Sequence, residues 1–186
     1  PDGSWSLHAF HKTAECHGQC KNPAQQSSDT AGTALALLPF LGAGQTHTEG
    51  RYQSEVLRGV RWLVEHQGED GDLRGPGNFG RMYAHGQAAI ALCEAYALSG
   101  DEQLRGPAQL SLDFIVKAQH PAGGWRYKPR EAGDTSVVGW QLMALNSGRM
   151  AHLYVPDETL ERSIDFLDSV QKDKLGGSYA YLPGHG

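Results

Sequence analysis

A chain of 186 residues is long enough for one ordinary domain with a sizeable core. Its 39% hydrophobic and 20% charged content is that of a globular chain, and no run of about 18 apolar residues suggests a membrane span. A formal charge of −5, from 16 basic against 21 acidic residues, argues against a broad nucleic-acid footprint.

Residues 1–28 read as irregular, with Gly3, Gly18, Pro23 and a polar Gln25-Gln26-Ser27-Ser28 run. A first helix follows, with Asp29 and Thr30 as N-cap candidates before Leu35, Leu37, Leu38 and Leu41, and Gly42-Ala43-Gly44 as its stop. A second is predicted over about 53–67, with Val56, Val60, Leu63 and Val64 on one stripe. A small-residue-rich helix is predicted from Tyr83 to Leu98, stopped by Ser99-Gly100. Pro107 suits the first turn of its partner, which runs to Gln119. Asp134-Thr135-Ser136 is predicted to cap a fifth helix through Leu145, stopped by Gly148, and Pro156-Asp157-Glu158 opens a sixth that ends near Gln171.

The pattern repeats. Gln67, Gln119 and Gln171 lie 52 residues apart, each at the end of an apolar helix and ahead of a glycine: Gly71 before Leu73, Gly123 before Trp125, Gly177 before Tyr179. At the same offset Val56, Ala108 and Leu160 correspond, as do Val60, Leu112 and Ile164, then Trp62, Phe114 and Phe166. Gly32, Gly86 and Gly139 fall at similar places in the first helices, where small residues permit close approach. The reading is an all-α array of helical hairpins in units of about 29–80, 81–132 and 133–186, preceded by the segment 1–28. One hairpin cannot bury its own apolar faces, so units must stack. Pro1-Asp2-Gly3-Ser4-Trp5 reads as the tail of the same motif, and the chain is therefore expected to be a piece of a longer repeat protein whose remaining repeats are its partners.

The motif carries a resemblance. Arg58-Gly59-Val60-Arg61-Trp62-Leu63-Val64-Glu65-His66-Gln67 before Gly71, Arg162-Ser163 through Phe166-Leu167 to Gln171, and the full ending Gln119 to Trp125 resemble the QW repeat of squalene and oxidosqualene cyclases, within the terpenoid cyclase and protein prenyltransferase superfamily. The resemblance covers residues 29–182. It implies an α/α toroid with first helices lining the centre and second helices outside, braced by the motif's Gln and aromatic ring. Leu73 and Tyr179 replace Trp, and the third copy has one extra residue before its glycines. A ring of about six such units needs roughly 300 residues, so this chain corresponds to a partial toroid.

The cyclase reaction implied by the family needs an Asp-x-Asp-Asp-Thr acid motif. Glu131-Ala132-Gly133-Asp134-Thr135 is the nearest match, with glycine in place of the central acid. The Asp-x-Asp-x-Cys zinc pattern of the prenyltransferases is absent, as is the Gly-Cys-Gly-Glu-Gln motif of complement-type thioester domains. Cys93 reads as a buried structural thiol. His8, His11, Cys16, His17 and Cys20 form the most metal-like stretch; zinc ligation, a Cys16–Cys20 disulfide and free thiols all stand as readings, and no cofactor is otherwise expected. Tyr83, His85, Asp134, Trp140 and Gln141, near the starts of first helices, are candidates to line a cavity mouth that holds an isoprenoid or another apolar small molecule. The local alternative is that they cap helices and pack units together. Three function classes follow: a ligand- or partner-binding repeat domain without catalysis of its own, part of an isoprenoid cyclase whose acid lies elsewhere, or a toroid enzyme using paired carboxylates on carbohydrate.

Overall fold

The structure is a computed structural model that describes residues 2–8, 10–12, 16–17, 19–20, 25–173 and 175–184. Of the positions read above, Pro1, Gly18, Pro23 and Gly186 lie outside them. Among the described residues the fold is all-α: α1 (Asp29–Gly42), α2 (Gln53–Glu65), α3 (Arg81–Ser99), α4 (Glu102–Ala118), α5 (Thr135–Met150) and α6 (Asp157–Val170), after one turn of 3-10 helix at Phe10–Lys12. No helix among them is long and apolar enough to cross a membrane.

The helices form two layers. The most extensive packing is α1 on α3 and α3 on α5, so the first helices make an inner layer. α2, α4 and α6 each lean on the first helix of their own hairpin, and α4 also touches α5. The composition of α3 follows from that position. It packs against four of the other helices, and its Ala84, Ala88, Ala89, Ala91 and Ala95 are fully buried, because small side chains let backbones approach on several sides. α2 and α6, by contrast, alternate apolar and charged positions at helical spacing and face outward with their polar side.

Several local signals resolve differently from the sequence reading. The cap of α1 is Ser28, whose hydroxyl accepts from the Ala31 N–H, while Asp29 and Thr30 are already helical. α4 begins five residues before Pro107, capped by Asp101 through the Gln103 N–H; the proline sits in the second turn and removes one intrahelical bond there. Gly148 does not end α5. It lies inside the helix, and a Cβ there would stand 2.3 Å from Leu112 Cδ1, so the glycine is the contact point for α4.

The motif residues repeat their contacts as well as their spacing. Gln67 Nε2 donates to the carbonyls of Gly71 (3.4 Å) and Pro107 (3.0 Å). Gln119 Nε2 donates to those of Gly123 (2.9 Å) and Thr159 (2.8 Å). Each amide thus ties its own loop to the first turns of the next outer helix, supplying a donor to a carbonyl there. Gly71 and Gly123 have φ of +90° and +88°, and a Cβ on either would lie 2.0 Å from the Leu110 carbonyl oxygen or 1.7 Å from that of Arg162. Only glycine fits such a contact. Gly3 (φ +99°) makes the same approach to Arg58, whose carbonyl oxygen would stand 2.4 Å from a Cβ at this glycine. Trp5 then covers Gly59 between α1 and α2.

The third copy departs. The left-handed glycine is Gly176 (φ +69°), not Gly177, and neither lies against a neighbouring helix. Gln171 turns its amide back onto the Asp173 carbonyl, within its own loop.

Candidate functional site

The N-terminal ends of α3 and α5 lie beside the loops that precede them, and there the inner layer opens into a groove of about 500 Å³. Phe79, Tyr83 and Tyr127 supply its aromatic wall, and Gln26, Asn78, Arg81 and Lys128 its polar rim. The rings follow one another: Phe79 and Tyr83 have centroids 5.5 Å apart, Tyr83 and Tyr127 6.2 Å apart. Tyr127 hydrogen-bonds Tyr181 hydroxyl to hydroxyl at 2.6 Å, and Arg126 lies over the Tyr127 ring at 5.4 Å. Gly80 positions this wall. A Cβ there would stand 2.8 Å from Tyr83 and 3.1 Å from Tyr127.

Asp134 anchors this end, fully buried as the cap of α5, and its Oδ1 accepts from the Val137 N–H at 2.9 Å. Its Oδ2 lies 3.8 Å from Arg126 Nε, which is also 3.8 Å from Glu131. Burial, with Asp134 and Tyr127 adding to it against a Ser136 hydrogen bond, holds the Tyr83 phenol above its ordinary range. The Tyr127 hydroxyl, then burial and the Asp134 carboxylate, raise Tyr181 further. Both phenols are hydrogen-bonding neutral groups near neutral pH.

The remaining sequence candidates divide. Tyr83 lines the groove and Asp134 lies behind it. His85 and Gln141 are fully buried between elements. His85 Nδ1 accepts from the Leu73 N–H at 3.0 Å and Nε2 meets the Ser111 carbonyl at 3.0 Å, which requires the neutral tautomer with its proton on Nε2. Burial lowers its pKa to about 4, the Ser111 carbonyl and Asp72 opposing only in part. The imidazole also packs against Phe114 in a tilted contact, with centroids 4.6 Å apart, and Arg74 covers the same ring. Gln141 donates to the Met82 carbonyl at 2.9 Å, tying α5 to α3, and with the half-buried Trp140 it packs over Gly86. His85 and Gln141 therefore take the packing role. Trp125 does likewise, its indole N–H donating to the Ile115 carbonyl at 2.8 Å.

Gly133 is packed in. A Cβ at this position would lie 2.6 Å from Gly124 Cα and 2.9 Å from the Phe166 ring, so no carboxylate can stand where the acid motif would need one. Glu94, toward the far end of α3, accepts from the Ser147 hydroxyl at 2.6 Å and is remote from the groove's helix ends.

In the N-terminal segment, His8 Nδ1 pairs with Ser6 Oγ at 2.9 Å and lies 3.9 Å from Asp29. Cys16 and Cys20 are not disulfide-bonded; the Cys20 N–H donates to Cys16 Sγ at 3.0 Å. His11 is half-buried and His17 has a φ of +48°. Among the described residues no three His, Cys, Asp or Glu side chains come together as a metal site. Cys93 is fully buried, which pushes its thiol up to about 12.

Sequence reasoning missed Phe79, Arg126, Tyr127 and Tyr181. A signal existed: Gly123-Gly124-Trp125-Arg126-Tyr127 and Gly177-Ser178-Tyr179-Ala180-Tyr181 both place a tyrosine two residues past the motif aromatic.

The chain is 27% identical over 158 residues to the drimenyl diphosphate synthase of Streptomyces showdoensis. The alignment covers 84% of this chain but only 28% of that protein, so the chain spans little more than a quarter of the relative's length. No family model and no solved structure matches it.

Proposed function

We propose that this chain is a helical-repeat part of a terpenoid-cyclase-like protein, an α/α toroid when complete, and that its groove binds an isoprenoid. The observation that carries the reading is the strip of Phe79, Tyr83 and Tyr127 at the N-terminal ends of the inner helices, rimmed by Arg81 and Lys128. Adjacent aromatic rings accept an unsaturated hydrocarbon chain and stabilise cationic character near it. The two cations, with the N-terminal dipole of α3, favour an anionic head group at the rim. The distant similarity to a drimenyl diphosphate synthase supports the same ligand class.

Binding without turnover is the reading for these residues alone. Packing at Gly133 excludes an acid from the nearest match to the family's proton-donor motif, so a proton for cyclisation would come from another part of the protein. Native mass spectrometry of the chain with farnesyl diphosphate or squalene tests the proposal. Retention of the diphosphate, reduced at least ten-fold by Tyr83→Ala with Lys128→Ala, supports it. Equal retention by wild type and variant, or none by either, refutes it.

A further inference from the structure

Two cysteines of the N-terminal segment take no part in the groove. Cys16 and Cys20 flank one turn, closed by the Gln19 N–H donating to the Cys16 carbonyl at 2.9 Å. The Cys20 N–H donates to Cys16 Sγ at 3.0 Å, which holds that sulfur within about 4.5 Å of the Cys20 Cα. From there, rotation about the Cys20 side-chain bond brings sulfur toward sulfur, the approach a disulfide needs. The thiols already act on one another: Cys16, ahead of burial, holds the Cys20 thiol above its ordinary range. Cys20 is exposed and Cys16 half-buried, whereas Cys93 is buried inside α3 and competes for neither.

The stretch that carries the pair is fastened on both sides of it. Before the pair, the Trp5 N–H donates to Thr33 Oγ1 at 2.9 Å and the Leu7 N–H to the Ser28 carbonyl at 3.4 Å. After it, Asn78 accepts from the Ser27 N–H at 2.6 Å and donates to the Gln25 carbonyl at 3.0 Å. Neither anchor uses a residue of the turn, so a ring closed over residues 16–20 leaves both in place. We propose that Cys16 and Cys20 form a reversible dithiol–disulfide site whose reaction partner is a small disulfide of the glutathione class. The exposed Cys20, as thiolate, attacks one sulfur of glutathione disulfide; that S–S bond breaks, one glutathione leaves as thiolate, and a mixed disulfide remains on Cys20. Cys16, as thiolate, then attacks the Cys20 sulfur, and the second glutathione leaves. The two cysteines give up two electrons and two protons, which the glutathione disulfide takes up in becoming two thiols. Excess glutathione reverses both steps. The site depends on the turn alone and stands apart from the ligand proposed above.

The test equilibrates the reduced full chain with mixtures of glutathione and glutathione disulfide, quenches with acid, blocks the remaining thiols with N-ethylmaleimide and reads peptide masses. The peptide holding both cysteines loses two hydrogens and takes up no maleimide, while Cys93 keeps its thiol. At a given glutathione mixture, the ratio of closed to open pairs is at least ten-fold higher in the native chain than in the chain unfolded in urea. Cys16→Ser stops the reaction at a glutathione adduct on Cys20. Equal ratios in the native and unfolded chains overturn the inference, because the turn would then contribute nothing to closure. So does a glutathione adduct that persists on Cys20 of the wild type, or a disulfide that joins two chains.

Discussion

His85 makes the inter-unit packing sensitive to acid, and the size of the effect follows from its surroundings. Fully buried between the Leu73 N–H and the Ser111 carbonyl, it stays neutral in the native chain down to about pH 4. In the unfolded chain it titrates near its ordinary 6.5. Above that pH both states are neutral and the shift contributes nothing. Between pH 6.5 and 4 the unfolded chain takes up a proton that the native chain refuses, so stability falls as pH falls. At about 1.4 kcal/mol per unit of pKa difference the loss reaches roughly 3 kcal/mol by pH 4, a large share of a small domain's stability. Carboxylates also titrate over this range; Asp72, for one, is held low by Arg74 against the opposing effect of burial. The comparison that isolates His85 is therefore with His85→Gln, which keeps a donor and an acceptor but does not titrate. Urea unfolding midpoints of both proteins at half-unit steps from pH 7.5 to 4.5 are the assay. The wild type loses about 2 kcal/mol more than the variant over that interval. Parallel pH curves refute the assignment of a neutral buried imidazole.

Gly123→Ala places a Cβ against the Arg162 carbonyl at a left-handed φ, and it lowers stability by about 2 kcal/mol or more in thermal unfolding; a neutral result contradicts the close contact. Gln119→Ala removes two buried hydrogen bonds and costs about 2 kcal/mol, whereas Gln171→Ala, which spans no unit boundary, stays within about 0.5 kcal/mol; equal effects by urea titration contradict the distinction. Ellman titration of the native chain at pH 8 modifies two of three cysteines, Cys16 and Cys20, and Cys93 only after unfolding; three fast thiols contradict its burial.

The outer helices were legible because α2 and α4 carry apolar stripes at helical spacing, and Val60, Leu63, Leu112 and Ile115 are all buried. Local signals were weaker where tertiary contacts override them. Pro107 reads as a helix start on propensity, yet Asp101 caps an earlier turn and the loss of one bond is tolerated. Gly148 reads as a stop, yet the approach of Leu112 requires a glycine inside the helix. For the candidate groove, nearness to a helix start was enough to single out Tyr83, which lines it, and Asp134, which lies behind it. It could not separate them from His85 and Gln141, whose partners Leu73, Ser111 and Met82 come from other segments. Ile164 shows the same limit from the other side. Its spacing marks it as core, and only the structure shows it exposed at an edge.

The most direct test of the functional claim is an amide-resolved NMR titration of the chain with farnesyl diphosphate. Binding in the aromatic groove produces saturable shifts concentrated at residues 78–83 and 126–128, with Lys128→Ala weakening the affinity. Saturable shifts confined to another face of the molecule, or none up to millimolar ligand, would contradict it.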